Sequence, residues 1–407
     1  MILSPQPGDP PPPEDRGSLA SRWLQAHGVA SYPGVIRASS LSTARTCEFL
    51  YYLRHRLRIR GSLFDSDALS LGSYVHAFLE DMLLPSPNPA PERLLTSRVN
   101  TIEELAIEFR AASDQLEASI ARETSRLELS RAWFEAAWAL RPIPPTYKPL
   151  ITEGYVHVRP TTSKVEPFFP AEYFNRRNKG RSAYSVQFDS ILYDEQRGEV
   201  WILDAKTTSG SPNLRSRCCP FDFQTLLYRA VAMRLLQMGL LQQRLSLPAS
   251  TKFGGFMHWI MRKPTIRPLK RTIAAEGPVA ANAEYADRVR AWYNASGEFD
   301  KLAAEWEADP PVNISYVRWP ASYPLITQEL AHSILYADDL ARRYAHPCNF
   351  PRNAAYLHFC RTESRFGAAL PTLAPFYIEK PSRWPGLIET NFFVEKPSLP
   401  LDPLLVL

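Results

Sequence analysis

Residues 185–194 read SVQFDSILYD and residues 199–210 read EVWILDAKTTSG. Both stretches are rich in β-branched and aromatic side chains, the composition of a strand more than of a helix. Between them Asp194-Glu195-Gln196-Arg197-Gly198 is polar and ends in glycine, which is turn chemistry. The pattern predicts strands over Tyr184–Tyr193 and Glu199–Lys206, joined as a hairpin. Asp189 sits in the first strand, and Asp204 and Lys206 in the second. Residues two apart on a strand share a face, so Asp204 and Lys206 project together, and hairpin pairing brings Asp189 to the same neighbourhood. Ile202 and Leu203 make the surroundings of Asp204 apolar, where an aspartate without a partner is costly.

Outward from the hairpin, a strand is expected at Ile151–Val158, a helix at Asp222–Gln243 and a further strand at Phe253–Met261. Upstream, helices are expected over Ser42–Arg58, Ser66–Leu84 and Thr101–Leu140. In the second, Leu71, Val75, Phe78, Leu79 and Met82 form one apolar stripe. Pro85 to Pro91 is expected to break the chain. The order strand, hairpin, helix, strand predicts an α/β fold, a mixed β-sheet core flanked by helices, with helical elaborations at both ends. Residues 1–35 read as a proline-rich tail without a core of their own. Residues 36–270 read as the core, with a helical insertion at about 100–141. Residues 271–407 read as an extension that packs on it, helical near Ala280–Asn294 and Leu325–Tyr344 and otherwise irregular. A single elaborated domain is expected.

The chain has 407 residues, 45% of them hydrophobic and 22% charged, and a net charge of +5. That is the composition of a globular protein whose mild basicity permits a polyanionic partner without requiring one. No apolar run approaches a membrane span, the N-terminus lacks signal-peptide character, and five cysteines are too few and too odd a number for a secreted disulfide framework. A cytoplasmic setting, in a bacterial cell or a phage-infected host, is the expectation.

Hydrolysis of a phosphodiester calls for a hard cation on oxygen ligands and an activated water, and an Asp/Asp/Lys set suits both tasks. Asp-x-Lys alone is common. Here VQFDSILYD followed by WILDAKTTSG resembles the second and third motifs of the PD-(D/E)XK nucleases, in particular their RecB-like branch. Three further features match that pattern. His76 lies in the helical LGSYVH (71–76), Glu153 precedes the hairpin on its own strand, and Gln224 and Tyr228 form a Q-x-x-x-Y helix start after it. The resemblance implies a restriction-endonuclease-like core, with Asp189, Asp204, Lys206 and Glu153 catalytic. It also implies Mg²⁺ or Mn²⁺ on His76, Asp189 and Asp204, and DNA as substrate. Gln224 and Tyr228 then meet a phosphate or support Lys206.

Basic residues at Arg177, Lys179 and Arg181, at Arg215, and at Arg262, Lys263 and Arg267 are candidate phosphate contacts. The implied activity is that of an exonuclease of phage recombination type. An end-trimming nuclease like those of CRISPR adaptation and an inactive DNA-binding scaffold are the alternatives. No P-loop occurs, so unwinding would need a separate helicase, and a single-strand annealing protein is a further candidate partner. Many RecB-like nucleases carry a four-cysteine iron–sulfur cluster. Cys47, Cys348 and Cys360 stand in corresponding positions, with His346 and His358 near the last two. Three thiolates do not fill such a cluster, so it is not expected, while a histidine-substituted cluster or a zinc site stays open.

Overall fold

The computed structural model describes residues 35–57, 59–60, 67–108, 113–158, 183–264, 278–294, 300–318, 324–342, 393–394 and 405–406. The chain divides into two compact units, residues 1–62, 156–185 and 331–407 in the first and residues 63–155 and 186–330 in the second.

In the first unit, strand β1 (Val35–Ile36) pairs in parallel with Ala183 and Tyr184. Helix α1 (Ala38–Thr46) and the short α2 (Glu48–Tyr51) follow, separated by Cys47 with φ −160° and ψ 114°. This extended, buried cysteine interrupts the helix expected over Ser42–Arg58. Strand β2 (Ile59–Arg60) pairs with a two-residue strand at Phe393–Val394, and Leu405–Val406 pairs with Val156 and His157.

The second unit holds the sheet. It is entered through helices α3 (Asp67–Leu83), α4 (Ala90–Glu108) and α5 (Ser113–Leu140). Pro91 lies inside the first turn of α4, where a missing N–H breaks no helical bond, so the helix begins well before the expected Thr101. Strands β3 (Tyr147–Val158), β4 (Ala183–Asp194) and β5 (Glu199–Thr208) follow. After them come α6 (Pro212–Cys218), α7 (Phe223–Gln237), α8 (Leu240–Leu245) and β6 (Lys252–Arg262). Gly239 at φ 71° divides the expected Asp222–Gln243 helix into α7 and α8. Helices α9 (Pro278–Asn294) and α10 (Asp300–Ala308) precede β7 (Val312–Val317). Strand β7 corrects the expectation of an irregular segment in this region. Behind Pro310-Pro311 the run is short, but it pairs with β6 along its whole length. Helix α11 (Pro324–Arg342) follows, and from Ala331 on it belongs to the first unit.

The sheet order in this unit is β7-β6-β5-β4-β3. Strands β4 and β5 form the predicted antiparallel hairpin, in register from Ser190↔Leu203 to Asp194↔Glu199. Strand β6 returns parallel to β5 after the α6–α8 crossover, and β7 closes antiparallel on β6. The mixed sheet flanked by helices is the fold class the sequence predicts. Strand β5 is buried from Val200 to Ala205, as a central strand covered on both faces must be. Trp201, Leu203 and Ala205 face a core that also holds Val75, Phe78, Leu79, Phe134, Trp259 and Tyr293. On α3 the apolar stripe departs from expectation at one end. Met82 is 45% exposed, while Tyr74 is fully buried with its hydroxyl donating to Glu123 over 3.1 Å.

Strand β5 gains a register shift between Val200 and Trp201, because β6 carries an extra residue at Gly254. A Cβ on Gly254 would come within 2.2 Å of the fully buried Trp201 indole. Gly254→Ala is therefore expected to lower stability by about 1–3 kcal/mol, an overpacking cost. Urea unfolding followed by tryptophan fluorescence measures it, as a lower midpoint at unchanged slope.

Candidate active site

The ladder between β4 and β5 ends at Ser190 and Leu203, and the next residues on each strand are Asp189 and Asp204. Here a carboxylate takes the place of a carbonyl, and the Ala205 N–H donates to Asp189 Oδ2 over 2.7 Å. Helix α3 crosses β5 closely, since a Cβ on Gly72 would lie 3.4 Å from Thr207 Oγ1. One turn on, His76 Nδ1 stands 3.3 Å from Asp189 Oδ2. Glu153 reaches the same spot from β3 in a left-handed backbone conformation, φ 49°, with Gln187 donating to its carboxylate. A non-glycine residue held there costs on the order of 1 kcal/mol, and such strain is stored mainly at functional sites.

One ligand atom each from His76, Glu153 and Asp189 lies within 4.8 Å of the other two, the one such group of histidine, cysteine or carboxylate side chains found among the described residues. Donors around an octahedral ion at about 2.1 Å stand about 3 to 4 Å apart, so this set fits a hard divalent cation. The electrostatics point the same way. Burial and the neighbouring Asp189 push Glu153 up to about 7, against the opposing pull of His76 and Gln187. Burial would depress His76, yet the charge and hydrogen bond of Asp189, with Glu153 behind them, lift it to about 9. At neutral pH the imidazolium thus serves as the counter-charge between two crowded carboxylates.

Asp204 occupies the adjoining half of the site and is not among the three. Its Oδ1 accepts from Lys206 Nζ at 2.9 Å and from Gln224 Nε2 at 3.1 Å, and its Oδ2 faces His258 Nδ1 at 3.2 Å. Burial would raise this carboxyl, but the Lys206 charge and the hydrogen bond from His258 hold it well below the usual carboxylate range. Lys206, which burial would depress, is raised by Asp204 and Asp189, and it donates also to Gln224 Oε1 at 2.8 Å. Asp204 and Lys206 share the face of β5 opposite Trp201 and Leu203, toward α7, as the two-residue period requires. Asp222 caps α7 by accepting from Gln224 N, which sets Gln224 in the first turn.

Tyr228 is turned into the protein. It is 8% exposed, its ring lies edge-on to Phe188, and its hydroxyl interacts with the Gln187 backbone and the Gln224 side chain. Of the basic candidates, Arg215 is half-exposed and 3.1 Å from Asp222. Arg262 is tied to the Asp309 carboxylate, and burial pushes the Lys263 ammonium down. Arg177, Lys179, Arg181 and Arg267 lie outside the described residues, as do Cys348, Cys360, His346 and His358. The buried His258 is not singled out by any sequence motif.

The family model of the PD-(D/E)XK nuclease superfamily matches residues 36–313. The chain belongs to the PD-(D/E)XK nuclease superfamily. No curated protein matches it. Nucleases of this superfamily generally use divalent metal ions, and the His76, Glu153, Asp189 group of this member has the donor chemistry for one. No helix among the described residues is long and apolar enough to cross a membrane.

Two outcomes follow from the charges. The folded pKa of Glu153 lies above its ordinary 4.5, so the stability this group contributes is full below that pH and is lost as the pH rises to about 7. Glu153→Gln should then melt with the wild type at pH 4 but a few degrees above it at pH 8 in EDTA, while losing stabilisation by Mn²⁺. The His76 proton must leave before its nitrogen can bind a cation. Mn²⁺ affinity measured by calorimetry should rise from pH 6.5 towards 9, and that slope should flatten in His76→Gln.

Proposed function

We propose that this superfamily member is a Mg²⁺- or Mn²⁺-dependent deoxyribonuclease, an exonuclease of the RecB-like branch that serves recombination, repair or phage DNA processing. The observation that carries the reading is the joint presence of the cation-fitting group His76, Glu153 and Asp189 and a buried ammonium, Lys206, held by Asp204 and Gln224. A bound cation would polarise the scissile phosphoryl oxygen and offset the charge of the leaving group. His76, Glu153 and Asp189 would hold it, with Asp204 adding its Oδ1 from the neighbouring strand. Lys206 keeps its proton at neutral pH, because Asp204 and Asp189 outweigh its burial. In this reading its ammonium donates to the attacking water and orients it. Gln224 limits the freedom of that ammonium by accepting one of its three hydrogens.

Arg215, half-exposed after β5, is a candidate backbone-phosphate contact, a kind of contact that adds affinity without reading sequence. Strand separation would come from a partner helicase. A scaffold that had lost catalysis would have no need of buried charges so fully partnered around Asp204.

Purified protein should degrade end-labelled linear DNA in Mn²⁺ and do nothing in EDTA. Lys206→Gln, which keeps a donor for Asp204 but removes its counter-charge, should lower kcat by about 10²–10³-fold, assayed below its own lowered melting temperature, where the protein is still folded. Activity that survives EDTA, or a Lys206→Gln protein as fast as wild type, would overturn this mechanism.

A further inference from the structure

His258 sits in the apolar run Phe256-Met257-His258-Trp259-Ile260 on β6, every member of which is buried. The parallel register pairs His258 directly with Asp204. In a parallel sheet, paired residues point to the same face, so the imidazole and the carboxylate meet side by side. His258 Nδ1 lies 3.2 Å from Asp204 Oδ2. Its ring stacks on Phe256 with centroids 5.7 Å apart and planes 12° from parallel, which fixes the direction of the donor. The ring is fully buried and its Nε2 has no oxygen or nitrogen partner among the described residues, while the buried Cys219 thiol interacts with the ring. A histidine in a strand core needs a polar partner or is costly. Here the partner is the acidic residue that also holds Lys206.

The two oxygens of Asp204 are thus divided between two tasks. Oδ2 is taken up by His258 from the neighbouring strand, and Oδ1 is left to Lys206 and Gln224. Without a donor at Oδ2 the carboxylate is held through Oδ1 alone, by Lys206 and Gln224, and the angle at which Oδ1 is presented is less tightly set.

We propose that His258 is a positioning residue of the nuclease site, acting through Asp204: it anchors Oδ2 so that Oδ1 faces Lys206 and the cation. The proposal rests on the nuclease reading above. Carboxylates that bind a metal depend on such outer partners, whose loss typically costs about 10- to 100-fold in metal affinity or activity.

The test compares His258→Phe, which keeps the ring packing on Phe256, with His258→Asn, whose amide nitrogen replaces Nδ1. Mn²⁺ affinity is read by electron paramagnetic resonance on the DNA-free protein, kcat and KM on linear DNA, and folding by thermal melting. The Phe variant should bind Mn²⁺ about 10- to 100-fold more weakly and lose kcat by a similar factor, with KM for DNA unchanged. The Asn variant should recover most of both. A folded Phe variant within twofold of wild type in Mn²⁺ affinity and kcat overturns the proposal, and so does an Asn variant no better than Phe. Should the Phe variant not fold, the Asn variant decides alone: near wild-type Mn²⁺ affinity supports the anchor, and loss in a folded protein overturns it. Wild-type protein that binds Mn²⁺ yet cuts no DNA overturns the nuclease reading, and the Mn²⁺ comparison still decides for or against His258.

Discussion

Where β4 and β5 part company, the sheet has to dispose of an N–H that its neighbour no longer answers with a carbonyl. Asp189 answers it with a side chain. That substitution ties the carboxylate to the backbone of β5 and holds it within reach of α3 and β3, so His76 and Glu153 converge on a point the sheet itself defines. Pinned at one oxygen, the carboxylate keeps a fixed direction. The fold and the site therefore share one hydrogen bond, and the remaining polar side chains are arranged around it.

The charges separate into two halves with different behaviour. Around Asp204 every oxygen is answered, by Lys206, Gln224 and His258, and the group is held ionised. Such a buried set contributes little net stability, yet removal of any one member strands a charge in an apolar interior. Around Glu153 and Asp189 the balance is incomplete, and a protonated His76 stands in for the missing positive charge. The site thus joins a half whose charges are matched to a half whose charges are not.

The hairpin, the shared face of Asp204 and Lys206, and the mixed sheet are legible in the sequence because they depend on local rules: turn composition and a period of two. His76, Glu153 and Gln224 are legible only through spacing that resembles a known pattern, since each alone passes for a surface residue. His258 is not legible. In FMHWIM it reads as a polar interruption of a core strand, and only the register set by the crossover between β5 and β6 reveals its partner. Arg262, which looks like a free cation in the sequence, belongs to Asp309 some 47 residues away, and no local rule announces such a pairing. Strand β7 is hidden because six residues behind two prolines carry too little periodicity, and its pairing with β6 supplies what propensity lacks. Met82 and Tyr74 exchange roles because a tyrosine hydroxyl can be buried once Glu123 accepts from it.

The polar groups of this site come from six separate elements: α3 supplies His76, β3 Glu153, β4 Asp189, β5 Asp204 and Lys206, α7 Gln224, and β6 His258. Between His76 and Gln224 lie almost 150 residues of chain, so loop closure over long separations precedes any assembly of the cluster. A nascent or half-folded chain of this kind has scattered acids and no cutting centre. On the proposed nuclease reading, such late assembly keeps an incompletely folded chain from cutting nucleic acid, because the cluster and the completed fold form together.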